Sequence, residues 1–461
     1  MLRKNYLSQL QEESLTQKGY MKEIALELKA KQPMVVVLDD DPTGTQTVHG
    51  VSVVTDWEQS TLDEMFMSEN SLFFILTNSR SFKEEKAYEV YFEIGKRIKV
   101  AADKSHKNFI VVSRGDSTLR GHYFAETTAL EKGIDVSDCK QILIPAFFEG
   151  GRFTLEDVHY MLDGDACIPV SESDFAKDNT FGYKNSNLLD WVSEKTNGII
   201  ESSDIDSFSI EVIRKLGPDT ISKKLLAHDS HKYTVVNALS YQDLEAFAYG
   251  LYKSNLSAII RSSASFVNAI GGIEKKALLN SDDFPNSKNG GLTIVGSYVS
   301  KTSSQLKVLQ KAENFAFLEL DVNAVLNSES RDTIISMSSR IDKMIAQGQD
   351  VVVYTSRRVV SGADGNSSLE VVNQVSNAIV DIVRNIKKEP RYILAKGGIT
   401  SSDIAVKALG VKKAFVEGQV LPGVPVWQLG IETKFPSVPY IIFPGNVGDE
   451  NALTNALTKL N

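Results

Sequence analysis

Four short stretches in the first half of the chain collect the side chains from which a polar binding site can be built. They are Asp39-Asp40-Asp41-Pro42-Thr43-Gly44-Thr45, Thr77-Asn78-Ser79-Arg80-Ser81, Ser113-Arg114-Gly115-Asp116-Ser117-Thr118-Leu119-Arg120-Gly121, and Pro145-Ala146-Phe147 followed by Gly151-Arg152. Arginine presents a planar fork that matches carboxylate or phosphate. Serine and threonine hydroxyls suit the hydroxyls of a sugar, and an aspartate can accept their protons, one of them as a general base. The combination describes a small polyhydroxylated anion. Taken singly, each loop also reads as a helix cap and turn, where Asp, Thr and Gly are ordinary residues. Each arginine likewise has carboxylates of the protein itself as alternative partners. Capping needs no guanidinium, however, and Arg80, Arg114, Arg120 and Arg152 all lie in or beside these loops.

The second half has a different chemistry. Gly296-Ser297 precedes Ser300-Lys301-Thr302-Ser303-Ser304, Lys396-Gly397-Gly398-Ile399-Thr400 precedes Ser401-Ser402, and Gly445-Asn446-Val447-Gly448 follows an apolar run. Glycine at a strand-to-helix turn lets a phosphate chain approach backbone amides at the positive end of a helix. None of the three is a Walker A loop or a GxGxxG fingerprint, and glycine is equally the residue of plain turns.

The elements that must position these loops follow from the apolar pattern. Runs at 34–38, 51–54, 72–76, 109–112 and 142–144 lack polar alternation, as strands buried on both faces do. Helical patterns fill 83–100 and 123–132, the pattern weakens from 151 to 226, and further strands are expected at 233–236 and 258–260. Asn280–Gly291, rich in Ser, Asp, Asn and Gly, reads as a linker, after which strands and helices alternate again. Strands interleaved with helices predict an α/β fold. The expected organisation is a helical N-terminal extension over 1–32, a first α/β domain over 33–285 and a second over 286–461, both with mainly parallel sheets. In the extension, Leu7, Leu10, Leu15, Met21, Ile24, Leu26 and Leu28 are the expected contact residues.

Composition narrows the class. Fifty Lys and Arg against 59 Asp and Glu give a net charge of −9, which disfavours a general nucleic-acid binder. Cys139 and Cys167 cannot form a disulfide framework or a cysteine-based zinc site. The six histidines, His49, His106, His122, His159, His228 and His231, show no metal-binding spacing. No apolar stretch is long enough to span a bilayer and the N-terminus lacks a signal-peptide core, so the cytoplasm is the expected compartment.

With the loops in view, the sequence resembles the four-carbon acid sugar kinase family from about residue 34 to 458. The family's DDxTG motif corresponds to Asp40-Asp41-Pro42-Thr43-Gly44, its SR element to Ser79-Arg80, and its DSTxRG motif to Asp116 through Gly121. Pro145-Ala146-Phe147, Gly151-Arg152 and His159-Tyr160 follow its PAF…GR…HY pattern. In the second half the correspondences are Gly296-Ser297 with Thr302 and Gln305, Gly397 through Thr400, Pro422-Gly423-Val424-Pro425, and Gly445 through Gly448. The chain departs from the family at Thr47 and Ile399, where relatives commonly carry acids, and at Phe443-Pro444, which replace Lys-Ser.

The resemblance implies an acid-sugar domain and a nucleotide domain facing each other across a cleft, and ATP-dependent phosphorylation of a threonate, erythronate or oxo-tetronate. Substrate would be bound by Asp40, Asp41, Thr43, Arg80, Asp116, Ser117, Thr118 and Arg120. Arg80 and Arg120 would serve the carboxylate or the transferred phosphoryl, and Asp40 or Asp116 would be the catalytic base. ATP would be lined by Ser297, Gly397, Gly398, Ile399, Thr400 and Gly445, with Mg²⁺ bridging its phosphates. The partners are thus a sugar acid and ATP, with no metal ligand assigned and homo-oligomerisation left open. Two other readings stay open. One is a haloacid-dehalogenase-like phosphatase with Asp39 as nucleophile and Asp41 as acid/base, which leaves Asp116–Gly121 and the second domain unexplained. The other is a non-catalytic sugar-acid sensor on the same scaffold.

Overall fold

The computed structural model describes residues 12–13, 17–136, 139–164, 166–227, 229–297, 299–327, 330–356, 365–445 and 447–460, with only the backbone of 365–370 and 372. Leu7, Leu10, Leu15, His228 and Asn446 therefore lie outside the described residues. The chain forms two compact units: residues 1–44 with 56–275, and residues 45–55 with 276–461.

In the first unit the apolar runs are buried along their length: every residue of Met34–Asp39, Val-rich and β-branched, is buried, as is every residue of Leu72–Leu76. The strands pair in parallel in the order Leu72–Leu76, Met34–Asp39, Phe109–Arg114, Ala258–Ser262, Lys140–Ile144, Tyr233–Val236, Ile205–Phe208. Register is what matters for function. Leu76 and Arg114 both lie level with Asp39, Ser262 lies level with Arg114, and Ile144 with Ser262. The polar loops that follow these residues therefore emerge at one edge of the sheet, the carboxyl edge where open α/β sheets bind ligands.

Helices cover the sheet. Glu84–Ser105 buries Ala87, Val90, Tyr91, Ile94, Ile98 and Ala102, a stripe at helical spacing. It crosses Tyr123–Ile134 through Gly95 and Gly133, where a methyl group on Gly133 would lie 2.3 Å from the Phe92 carbonyl. The N-terminal helix, Met21–Lys31, packs Ile24 and Leu28 onto the same unit while Leu26 faces solvent. Residues 151–169, where the sequence pattern fades, form an antiparallel ribbon of Arg152–Leu155, Val158–Asp163 and Ala166–Pro169. One face of this ribbon is wet, so its residues alternate instead of running apolar.

The second unit pairs Phe315–Leu320, Asp350–Thr355, Leu292–Val295, Ile393–Lys396 and Pro439–Phe443 in parallel. Val424–Leu429, Lys413–Leu421 and Val51–Val54 then extend the sheet antiparallel. Val51–Val54, expected with the first domain, thus belongs to the second. Its strand pairs with Lys413–Val416, and the Trp427 indole donates to the Thr45 hydroxyl at 3.0 Å. The chain passes into the second unit after Lys275, ten residues before the expected boundary at 285. Pro422-Gly423, within one of the motifs of the resemblance, is the turn of a hairpin, with Gly423 at φ 77°.

Candidate functional site

At the carboxyl edge of the first sheet the acidic run Asp39-Asp40-Asp41 meets two arginines, Arg80 and Arg114. Asp40 is completely buried, and Arg80 grips it with Nε on Oδ2 at 3.1 Å and Nη2 on Oδ1 at 2.6 Å. Arg80 also reaches Asp41 at 3.4 Å. Asn78 in the left-handed region, φ 54°, turns the chain into the single 3₁₀ turn that carries this arginine. Burial would raise the Asp41 carboxyl, but Arg80 and two hydrogen bonds from Thr43, at 2.8 and 2.5 Å, hold it below its ordinary value. Asp39 is the opposite case. Burial pushes its carboxyl up to about 8 against the pull of Arg114, whose Nη1 lies 3.3 Å away. A methyl group on Gly44 would fall 1.8 Å from the Asp39 carboxyl, so only glycine lets the loop close over it. A carboxyl that is buried, engaged by Arg114 and walled by its own loop is a poor phosphatase nucleophile, and the haloacid-dehalogenase-like reading loses its key residue.

The Asp116–Gly121 loop lies beside this network. Asp116 accepts from Arg120 Nε at 2.7 Å and from the Thr118 hydroxyl, both on Oδ2, which leaves Oδ1 without a partner among the described residues. Burial opposes its charge, yet Arg80, Arg120 and these hydrogen bonds hold the carboxyl well below the usual range. Arg120 also approaches Asp178 at 3.6 Å and stacks on Phe175. The loop is held by its carbonyls: His159 Nε2 donates to Ser117 at 2.8 Å and the Tyr183 hydroxyl to Thr118 at 2.7 Å. With Nε2 a donor, His159 Nδ1 accepts from the Thr154 hydroxyl at 3.0 Å, and burial pushes this neutral imidazole down to about 4. Beneath the loop Arg261 pairs with fully buried Glu126, which also accepts from Ser79 at 2.6 Å. A methyl group on Gly115 would lie 2.1 Å from Arg261 Nη2, so this second glycine is needed for close approach as well.

In the second unit the ends of Leu292–Val295, Ile393–Lys396 and Pro439–Phe443 are again level, Val295 beside Lys396 and Lys396 beside Phe443. Here the loops interlock by lacking side chains. A methyl group on Gly296 would lie 2.3 Å from Thr400 Oγ1, one on Gly397 (φ 115°) 2.9 Å from Ser297 Cβ, and one on Gly445 3.4 Å from Ser297 Oγ. Thr302 Oγ1 bonds the Gly445 carbonyl at 3.3 Å, and Gln305 Nε2 bonds the carbonyls of Val447 and Asp449 at 3.0 and 2.7 Å. Thr302 and Gln305 thus shape the glycine loop from behind. Gly398 opens the short helix after Ile393–Lys396, and Ile399 projects into solvent. Lys396, in the same cradle, is fully buried, donates to the Pro444 carbonyl at 2.8 Å and lies 3.9 Å over the Phe443 ring. It has no carboxylate within 4 Å among the described residues, and burial, helped by the charge of Lys301, pushes its amine down to about 7. No cluster of metal-binding side chains occurs among the described residues.

Residues 35–270 match a sugar-binding N-terminal domain and residues 292–453 a nucleotide-binding C-terminal domain. The chain belongs to the four-carbon acid sugar kinase family. Among its relatives in that family, a D-erythronate kinase of Heliobacterium modesticaldum is 25% identical over 455 residues, covering 92% of this chain and 97% of that one. Two solved structures share the fold. A Haemophilus influenzae protein matches with TM-score 0.66 at 17% identity, covering 92% of this chain and 100% of that one. A Salmonella typhimurium LT2 protein matches with TM-score 0.69 at 16% identity, covering 93% and 99%.

For this acid sugar kinase chain, the first sheet brings Asp40, Asp41, Thr43, Arg80, Asp116, Ser117, Thr118 and Arg120 to one edge. The second brings Ser297, Gly397, Gly398, Thr400 and Gly445 to another, with Ile399 at its rim. Sequence reasoning met Lys396 only as the first residue of a glycine motif and gave it no role, and it passed over Glu126 and Arg261. Glu126 and Arg261 lie within a helix and a strand that read as core, and a buried ion pair leaves no spacing signal.

Proposed function

We propose that this protein transfers the γ-phosphoryl group of ATP to a hydroxyl of a four-carbon sugar acid of the threonate, erythronate or oxo-tetronate type. The observation that carries the reading is the level register of the first sheet, which gathers the Asp40–Gly44, Ser79-Arg80 and Asp116–Gly121 motifs at one edge. Kinship with a D-erythronate kinase supports the same substrate class.

Phosphoryl transfer needs positioning and charge neutralisation more than covalent help from the protein. The attacking hydroxyl forms a bond to the γ-phosphorus as the bridging P–O bond to the β-phosphate breaks, and ADP leaves with the bonding pair. The proton of that hydroxyl passes to Asp116 Oδ1, the oxygen left open by Arg120 and Thr118. So acidic a carboxylate is a weak base, which suits a loose transition state in which the hydroxyl loses its proton late. Asp40, with both oxygens on Arg80, acts as the fixed anchor of that arginine and not as the base. Ser297, Gly397, Gly398, Thr400 and Gly445 receive the nucleotide by backbone and hydroxyl groups. Mg²⁺ would come bound to ATP and supply charge neutralisation at its phosphates. ATP as donor supports the cytoplasm as the compartment of this activity.

The test is an ATP-consumption screen over the D and L forms of threonate and erythronate and their oxo derivatives, with the product read by phosphorus NMR. Asp116→Asn should lower kcat by about 10²- to 10³-fold with the KM for ATP unchanged. ATP consumption with none of these acids, or release of phosphate from sugar phosphates without ATP, overturns the proposal. An Asp116→Asn enzyme near the parent rate removes Asp116 as base.

A further inference from the structure

We infer that Arg152 is the side chain that recognises the carboxylate of the acid sugar, and that the preference for an acid over a neutral polyol resides in this guanidinium. The inference rests on the kinase reading above and adds to it the residue that selects the substrate class.

The charge pairing in the first unit singles this residue out. Arg80 is engaged by Asp40 and Asp41, Arg114 by Asp39, Arg120 by Asp116 and Asp178, and Arg261 by Glu126. Arg80 and Arg120, the residues the sequence offers for an anion, are thus already occupied by the protein's own carboxylates. Arg152 lies at the same edge, yet no carboxylate approaches within 4 Å of it among the described residues. Its Nη1 donates to the Gly150 carbonyl, while its Nε–H is shut off from water and has no acceptor. Arg114 Nε is buried without an acceptor as well, but Arg114 has Asp39 as its counter-ion, whereas Arg152 has no carboxylate of the described residues to neutralise it.

Arg152 is also held in place for that task. Its backbone pairs in both directions with Phe147, at 2.8 and 3.0 Å, closing the turn at the base of the antiparallel ribbon. A methyl group on Gly150 would lie 2.3 Å from Nη1 and 2.5 Å from the Phe147 ring, so the guanidinium is packed into a slot that only glycine leaves open. With Nη1 on Gly150 and Nε shut off from water, Nη2 is the nitrogen left to meet a carboxylate oxygen, in a charge-assisted hydrogen bond. Arg152 is close enough to Asp116 and Arg120 for their charges to be felt, so an acid anchored there keeps its hydroxyls near the Asp116 loop. Burial also depresses the arginine's affinity for its proton, as expected of a cation awaiting its counter-ion.

The experiment compares D-erythronate and D-threonate with their neutral counterparts, erythritol and D-threitol, by calorimetric titration of the full-length protein and by kinetics. The wild type should bind at least one acid about 100-fold more tightly than its polyol. Arg152→Gln should weaken the acid by about that factor, leave the polyols within about twofold, and so erase the preference. Arg152→Lys should retain part of it, and both variants should melt within a few degrees of the wild type, because they lose the bond to the Gly150 carbonyl but strand no carboxylate. An Arg152→Gln protein that still prefers the acid overturns the inference while leaving the kinase reading intact. An equal fall in kcat for acid and polyol with the binding preference preserved would assign Arg152 to the transferred phosphoryl and also overturn it. A wild type that binds neither acid overturns the substrate reading and this inference with it.

Discussion

The carboxyl edge of the first sheet is crowded with fixed charge, and that of the second is nearly bare. In the first, Arg80, Arg114, Arg120 and Arg261 are each matched to carboxylates before any ligand arrives. In the second, Lys396 is the lone buried cation among the described residues, and Gly296, Gly397 and Gly445 define the space. On the proposed function, the difference follows from what each edge would have to hold. A four-carbon acid offers few atoms, so its recognition depends on a rigid polar frame whose members lock one another. A nucleotide offers a long phosphate chain, and a backbone stripped of side chains can follow it. The first arrangement is costly to disturb in stability; the second is costly to disturb chiefly in affinity.

The comparison can be broken most directly at Arg80. Arg80→Met leaves fully buried Asp40 without its bidentate partner, and removal of one member of such a pair destabilises by about 3–5 kcal/mol. Urea denaturation measures this, and a loss below about 1 kcal/mol would mean that Arg80 is a ligand-binding group and not a strut. A smaller effect is expected from paired glycine substitutions. Gly44→Ala forces a methyl group into the Asp39 carboxyl and should cost about 3 kcal/mol, whereas Gly445→Ala meets only Ser297 Oγ at 3.4 Å. Gly445→Ala should melt near the wild type and raise the KM for ATP, and equal melting losses in the two variants would erase the contrast.

The smallest effect is electrostatic. His159 is neutral and buried when folded, pushed down to about 4, and takes up a proton at its ordinary 6.5 when unfolded. The unfolded state therefore binds more protons between these values, and stability falls as pH is lowered from about 6.5 to 4, by about 2–3 kcal/mol. His159→Gln can still donate to the Ser117 carbonyl but carries no titrating group. Denaturation midpoints of wild type and variant should converge as the pH falls towards 4.5, and parallel curves would show that His159 titrates alike in both states.

Much of the first edge was legible in the sequence, because strands buried on both faces announce themselves as unbroken apolar runs and the polar residues after each run must share an edge. The meaning of the charges was not. That Arg80 and Arg120 are already satisfied while Arg152 is not depends on distances between loops, and no spacing along the chain encodes them. Gly44 and Gly115 read as turn glycines, yet they are required by the approach of Asp39 and Arg261, side chains the local sequence does not point to. The ribbon over 152–169 was missed because one wet face breaks the apolar run. Val51–Val54 went to the wrong unit for a related reason: its partner strand, Lys413–Leu421, comes from the far end of the chain. Thr302, Gln305 and Pro422-Gly423, read as parts of the nucleotide motifs, shape backbone instead.

The excursion of residues 45–55 into the second unit bears on how this protein can be divided. A fragment begun at Lys276 would contain the whole nucleotide match at 292–453 but would lack the strand that pairs with Lys413–Val416. The segment Lys413–Val416, with Phe415 on its surface, would then present unsatisfied amides and carbonyls, an open template for self-association. Supplying 45–55 as a separate peptide is the natural remedy, and the eleven residues that follow Gly44 become a detachable tag that reports on the folding of the other half.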